Sequence, residues 1–184
     1  MPKIKLNSKI MAATMLLCTL TTFSQTAQAQ RLRPTSLLNA KCVDSGEGSV
    51  RVEDQDVAIG RSVYTSMFHL GSGNRSASLT CKIKPNRSLE PVFQTLNLGF
   101  GMRDNDQSSP PVAVKIYVDG RLFANQTVRP TEKTEFAIDV GTVSNVTIET
   151  VCSSQSQYCD RVYFYQAMLQ PKMPVPIPAV TPKK

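Results

Sequence analysis

The sequence contains no tryptophan and a single histidine, His69, and aromatic residues make up only 7% of its 184 positions. The lone histidine removes most enzyme classes. A Ser-His-Asp triad would have to use it, and a histidine-rich metal site would have no second ligand. No glycine-rich phosphate loop is present, and no cysteine pair has the Cys-x-x-Cys spacing of a zinc site. No window carries helical periodicity, and there is no internal repeat. Lys and Arg outnumber Asp and Glu by 21 to 14, but they are scattered one at a time. Nucleic-acid binding wants a clustered basic stripe, so no nucleic-acid partner is expected. The mild positive excess suits attraction to anionic glycans or to envelope surfaces.

The only long apolar run lies at the N-terminus. Lys3, Lys5 and Lys9 form a basic region, Ile10 to Leu20 an apolar one too short to span a bilayer, and Ala27-Gln28-Ala29 a small-x-small cleavage site. Residues 1–29 therefore read as an export signal. Cys18 follows Leu17 rather than a small residue, which argues against lipidation. Of the formal charge of +7, the signal holds three lysines, leaving +4. No transmembrane segment is expected in the rest. The protein is read as secreted or periplasmic.

Four cysteines remain after the signal, an even count that points to two disulfides in an exported protein. Three pairings are open. Ser153 to Tyr158 reads as a loop between two strands, which favours Cys152–Cys159 across its ends. Cys42–Cys81 then ties the N-terminal segment to a strand.

What the chain does have is period-two alternation. Val112, Val114, Ile116 and Val118 share one face, and Ala113, Lys115 and Tyr117 the other, as in a half-buried strand. Asp119-Gly120 then joins this run to Arg121–Val128, a strong hairpin signal because a type I′ turn needs positive φ at both central residues. Further strands are read at Val50–Val57, Gly60–Phe68, Ala77–Lys84, Phe93–Gly101, Thr134–Val140, Val146–Thr150 and Arg161–Leu169. Eight or nine short strands separated by turn residues make an all-β class, a jelly-roll-type β-sandwich. The expected organisation is a lead-in at 30–49, the sandwich at 50–170 and a tail at 171–184. Proline at nearly every second position makes that tail an extended arm without a core. Four glycosylation sequons, at Asn74, Asn86, Asn125 and Asn145, read as polar turns and strand edges.

Three segments resemble the carbohydrate-binding-module-like domain (NPCBM type) first described beside glycoside hydrolases of family 98. They are Phe93 to Asp104, the hairpin carrying Val114, Ile116, Val118, Asp119, Gly120 and Leu122, and the closing run from Asp160 to Ala167 and Leu169. Tyr163 to Tyr165 stand where that family often carries tryptophan. The resemblance covers about residues 50–169. It implies a galactose-binding-like jelly-roll and a non-catalytic role in glycan recognition.

The candidate binding surface is the last strand, with Arg161, Tyr163 and Tyr165 on one face and Val162, Phe164, Gln166 and Met168 on the other. Aromatic rings stack on the C–H faces of sugars, and arginine binds hydroxyls. Tyr117 and Lys115, on the non-core face of their strand, are expected to join this surface. His69 is read as structural. Asp104 and Asp106 are candidates for a structural calcium, with a solvated acidic loop as the alternative. No other cofactor is expected. The expected partner is a glycan or polysaccharide; the alternative is an envelope protein bound by a sandwich with no sugar site.

Overall fold

A computed structural model describes residues 33–85 and 91–172. The expected signal and most of the proline-rich tail lie outside these residues. Eleven strands are described: β1 (Thr35–Ser36), β2 (Lys41–Gly46), β3 (Ser49–Ile59), β4 (Ser62–Gly73), β5 (Ser76–Lys82), β6 (Phe93–Gly101), β7 (Val112–Val118), β8 (Arg121–Val128), β9 (Lys133–Asp139), β10 (Asn145–Cys152) and β11 (Cys159–Pro171). They form two antiparallel sheets. The first has the order β3-β4-β11-β6-β9, with β1 also on β11, and the second β2-β5-β10-β7-β8. Among the described residues no helix is long and apolar enough to cross a membrane.

The alternation seen in the sequence builds the core. Val112, Val114 and Ile116 meet Val146 and Ile148 from the second sheet, and Leu96, Leu98, Phe100, Phe68 and Phe164 fill the space from the first. Phe68 and Phe164 stack at 4.5 Å between ring centroids. The β7–β8 turn has φ of 46° at Asp119 and 79° at Gly120, the positive values that the dipeptide allows. The Asp119 carboxylate accepts the backbone N–H of Ser144 at 3.1 Å and of Asn145 at 2.8 Å, tying the hairpin tip to the start of β10.

The sandwich begins earlier than the expected boundary at residue 50. Thr35 pairs with Leu169, and Leu37, in a short 3-10 turn, is fully buried. Ser36 starts that turn by accepting the backbone N–H of Leu38 at 3.2 Å, the usual service of a serine cap. β2 is an edge strand of the second sheet, and Cys42 stands directly opposite Cys81. The disulfides are Cys42–Cys81 and Cys152–Cys159.

β3 and β4 form a long hairpin, of which only Phe68 to Gly73 of β4 pairs with β11. The other half folds over the outer face of the first sheet. There Val57 and Ile59 make a small second core with Tyr163, flanked by Tyr64 and Tyr165.

Candidate functional site

The folded-over hairpin changes the fate of the tyrosines on β11. Tyr163 is fully buried, with the Arg103 guanidinium 5.0 Å above its ring and His69 5.2 Å away. It has no surface to offer a sugar. Tyr165 is half-buried and stacks on Tyr64 at 4.3 Å. Its hydroxyl donates to Glu135 Oε1 at 3.2 Å. Burial, with the Glu135 carboxylate beside it, raises the phenol well above its ordinary range. The expected exposed face of Tyr163 and Tyr165 is thus covered, and of that row Arg161 stays exposed.

Tyr117 and Lys115 do not join Arg161. They lie on the second sheet, on the opposite side of the sandwich. Tyr117 donates its hydroxyl to Glu149 Oε2 at 2.9 Å, and Lys115 Nζ stands 4.0 Å from the same oxygen. Burial and Glu149 both push the Tyr117 phenol up.

Asp104 and Asp106 are committed to nitrogen donors. Asp104 accepts the backbone N–H of Gly60 at 2.7 Å and of Arg61 at 2.9 Å, clamping the tip of the β3–β4 hairpin. Asp106, only 5% exposed, receives the Arg103 fork at 2.8 and 3.2 Å. Among the described residues no three His, Cys, Asp or Glu side chains gather to hold a metal. A calcium site wants six or more oxygen ligands, and these two carboxylates face N–H groups instead, so the residues do not fit that ion.

An open cleft of about 420 Å³ lies at the end of the sandwich, within the size range of ligand sites. Glu47, Gly48 and Ser49 at the β2–β3 turn form one wall. Gly71, Ser72, Gly73, Asn74 and Arg75 form the other, and Tyr158 stands at the mouth. The two segments are packed directly on each other where Ser49 pairs with Gly71: a β-carbon on Gly48 would meet Gly71 O at 2.3 Å and one on Gly71 would meet Ser49 Oγ at 2.9 Å. Arg75 grips Glu47 with a two-pronged contact, Nε to Oε2 at 2.8 Å and Nη1 to Oε1 at 2.9 Å. Ser72 Oγ is buried without a partner.

Tyr158 is the aromatic group of this cleft and is 63% exposed. Its ring lies along Gly73, where an added β-carbon would be 3.4 Å from Cε2. The Cys152–Cys159 disulfide closes the loop that carries it. Within that loop Ser154 Oγ accepts the N–H of Gln157 at 3.0 Å, and at its base Cys152 N–H donates to Arg75 O at 2.9 Å. A solvated tyrosine is therefore held in place beside hydrogen-bonding groups of both signs. Arg161 lies beside Gly71, one of the lining residues, with its Cγ 3.5 Å from the β-carbon position of Gly71. Sequence reasoning missed Tyr158, Arg75 and Glu47. The available signal was a tyrosine immediately before a cysteine in a short disulfide-closed loop.

A second groove of about 330 Å³ is lined by Lys41, Lys82, Lys84, Phe93 and Leu169 among others. It offers no exposed ring with a polar tip.

No family model matches this chain, and no curated protein matches it. Solved structures do. The CBM51-2 and INT domains of Clostridium perfringens ZmpB, in complex with GlcNAc, align with a TM-score of 0.61 at 17% identity, over 77% of this chain and 32% of that one. CBM51 from C. perfringens GH95, in complex with methyl-galactose, aligns at 0.56 and 9% identity, over 75% of this chain and 100% of that one. The chain has the fold of a CBM51 module. The tandem CBM51 modules of the family 98 glycoside hydrolase Sp3GH98 from Streptococcus pneumoniae align at 0.56 and 6% identity, over 74% of this chain and 47% of theirs. The chain thus spans about a third of the ZmpB structure and under half of the tandem modules. The resemblance to a domain found beside family 98 hydrolases, drawn from three strand segments, meets the CBM51 fold in these neighbours.

Proposed function

We propose that this protein is an exported, non-catalytic carbohydrate-binding module whose sugar site is the cleft at Tyr158. The observation that carries the reading is the pairing of an exposed, loop-locked tyrosine with an open cleft lined by Glu47, Ser49, Asn74 and Arg75. Tyrosine presents an apolar ring with a hydrogen-bonding tip at low entropic cost, and a sugar presents a C–H face with hydroxyls around it. Glu47, Asn74, Arg75 and Ser49 supply acceptors and donors for those hydroxyls. The shared fold supports the reading, since neighbours are named for carbohydrate binding and two were solved with GlcNAc or methyl-galactose. The cleft is open, so affinity for a single sugar is expected to be weak. Two disulfides agree with life in an oxidising compartment, as the N-terminal signal implies. The test is a screen of the protein against a glycan and polysaccharide array. Reproducible binding to a defined set of glycans supports the reading. A folded protein that binds none of them overturns it and turns attention to a protein partner in the envelope.

A further inference from the structure

Next to the cleft, two rows of residues cross the first sheet. Arg51, His69 and Tyr163 face one another on β3, β4 and β11, and Ser49, Gly71 and Arg161 form the adjacent row. Strands two apart in a sheet are separated by roughly 10 Å, within reach of two extended arginines. Between Arg51 and Arg161 the sheet carries only Gly71, without a side chain, and His69, which is 1% exposed. Neither ring nitrogen of His69 has a hydrogen-bond partner, and neither does the Tyr163 hydroxyl. Buried polar atoms without partners are rare in folded proteins and call for an explanation.

The charges point the same way. Among the described residues Arg51 and Arg161 make no ion pair and no side-chain hydrogen bond, whereas Arg75 is held by Glu47 and Arg103 by Asp106. Both free arginines bear on His69, helping to keep its imidazole neutral. Glu53 Oε1 lies 3.8 Å from His69 Nδ1 on this face, and its charge opposes that of the two arginines at the imidazole. Asp160 follows the opposite alternation on β11; burial and Asp106 weaken its acidity, while the charges of Arg103 and Arg161 act on it in the opposite sense. Two exposed guanidinium groups without an ion pair therefore flank the buried His69 and Gly71, and Gly71 is also part of the cleft lining.

We infer that the cleft extends over Gly71 and holds an acidic substituent of the glycan, a carboxylate or a sulfate, between Arg161 and Arg51. This rests on the glycan-binding reading. The planar guanidinium fork matches both oxyanions. The preferred ligand is a uronate-bearing or sulfated saccharide, with its ring toward Tyr158 and its charge toward Arg161.

The test compares matched pairs by titration: N-acetylglucosamine against its sulfate ester, and methyl galactoside against methyl galacturonide. Within at least one pair the acidic member should bind roughly tenfold tighter, the strength expected of a charge-assisted contact. The carboxylate and sulfate arms show which oxyanion is taken. Rising salt should erode that preference, and Arg161→Gln and Arg51→Gln should each lower the acidic-to-neutral ratio. Equal binding of neutral and acidic members, with ratios unmoved in both variants, overturns the inference and leaves the glycan reading standing. Failure of every saccharide to bind overturns both.

Discussion

The Tyr165 ring rests on Gly99 so closely that a β-carbon at residue 99 would stand 2.5 Å from the ring's Cε2. Glycine at this place is therefore a packing requirement of the folded-over hairpin. Gly99→Ala should force Tyr165 off Tyr64 and cost roughly 1–3 kcal/mol, the usual penalty of overpacking. Denaturant unfolding followed by tyrosine emission, which no tryptophan obscures here, measures it. An unchanged midpoint would mean that the ring does not sit where the structure puts it.

Asp104 should matter for the same hairpin. Asp104→Ala removes the acceptor of two backbone N–H groups and should cost roughly 1–3 kcal/mol. Calcium and chelator should leave the melting temperature of the wild type unchanged, because the carboxylate serves N–H donors. A stabilisation by calcium that vanishes in Asp104→Ala would show that the loop holds an ion after all.

Tyr163 was the leading sugar contact on sequence grounds, and burial now assigns it a different part. Its hydroxyl has no partner, so Tyr163→Phe should be neutral or stabilising by up to about 1 kcal/mol and should leave glycan binding unchanged. Thermal melts and a binding titration on the same variant check both halves.

His69 gives the stability a pH dependence of known sign. Burial first, then the charge of Arg161, hold its imidazole below the ordinary value of 6.5. The unfolded chain takes up that proton more readily than the folded one. Its contribution is therefore present above pH 6.5 and declines as the pH falls below it. His69→Gln should narrow the gap between melting temperatures at neutral and mildly acidic pH. An equal gap in both proteins would place the acid sensitivity elsewhere.

Period-two alternation made β6, β7, β9 and β10 readable, because their inward residues pack against the opposite sheet. β8, exposed at all but Ala124 and Val128, was readable only through the turn before it. The Asp119-Gly120 turn was readable from its chemistry alone. The site was much less so. Tyr165 has no partner on β6, since Phe164 pairs with Phe100 and Gln166 with Gly99. This bulge puts Ala167 and Leu169, not Gln166 and Met168, in the core with Phe164. Alternation counted through an unseen extra residue goes out of phase. Nothing local announces that half of the β3–β4 hairpin will cover Tyr163. That outcome depends on Asp104, more than 40 residues away. Likewise, the alternation of β7 shows that Lys115 and Tyr117 leave the core, but not which side of the sandwich they reach. β2 was missed because Cys42 is its one partly buried residue and the other five are exposed, a weak strand signal.

The central claim is that Tyr158 is the ring on which a sugar stacks. The direct measurement is a titration, with a glycan that the array selects, of wild type, Tyr158→Ala and Tyr117→Ala, each checked for folding by circular dichroism. The account predicts that Tyr158→Ala weakens binding roughly tenfold or more, as loss of a stacking ring does, while Tyr117→Ala matches wild type. Unchanged binding by Tyr158→Ala, with loss in Tyr117→Ala, would move the site to the second sheet and contradict the account.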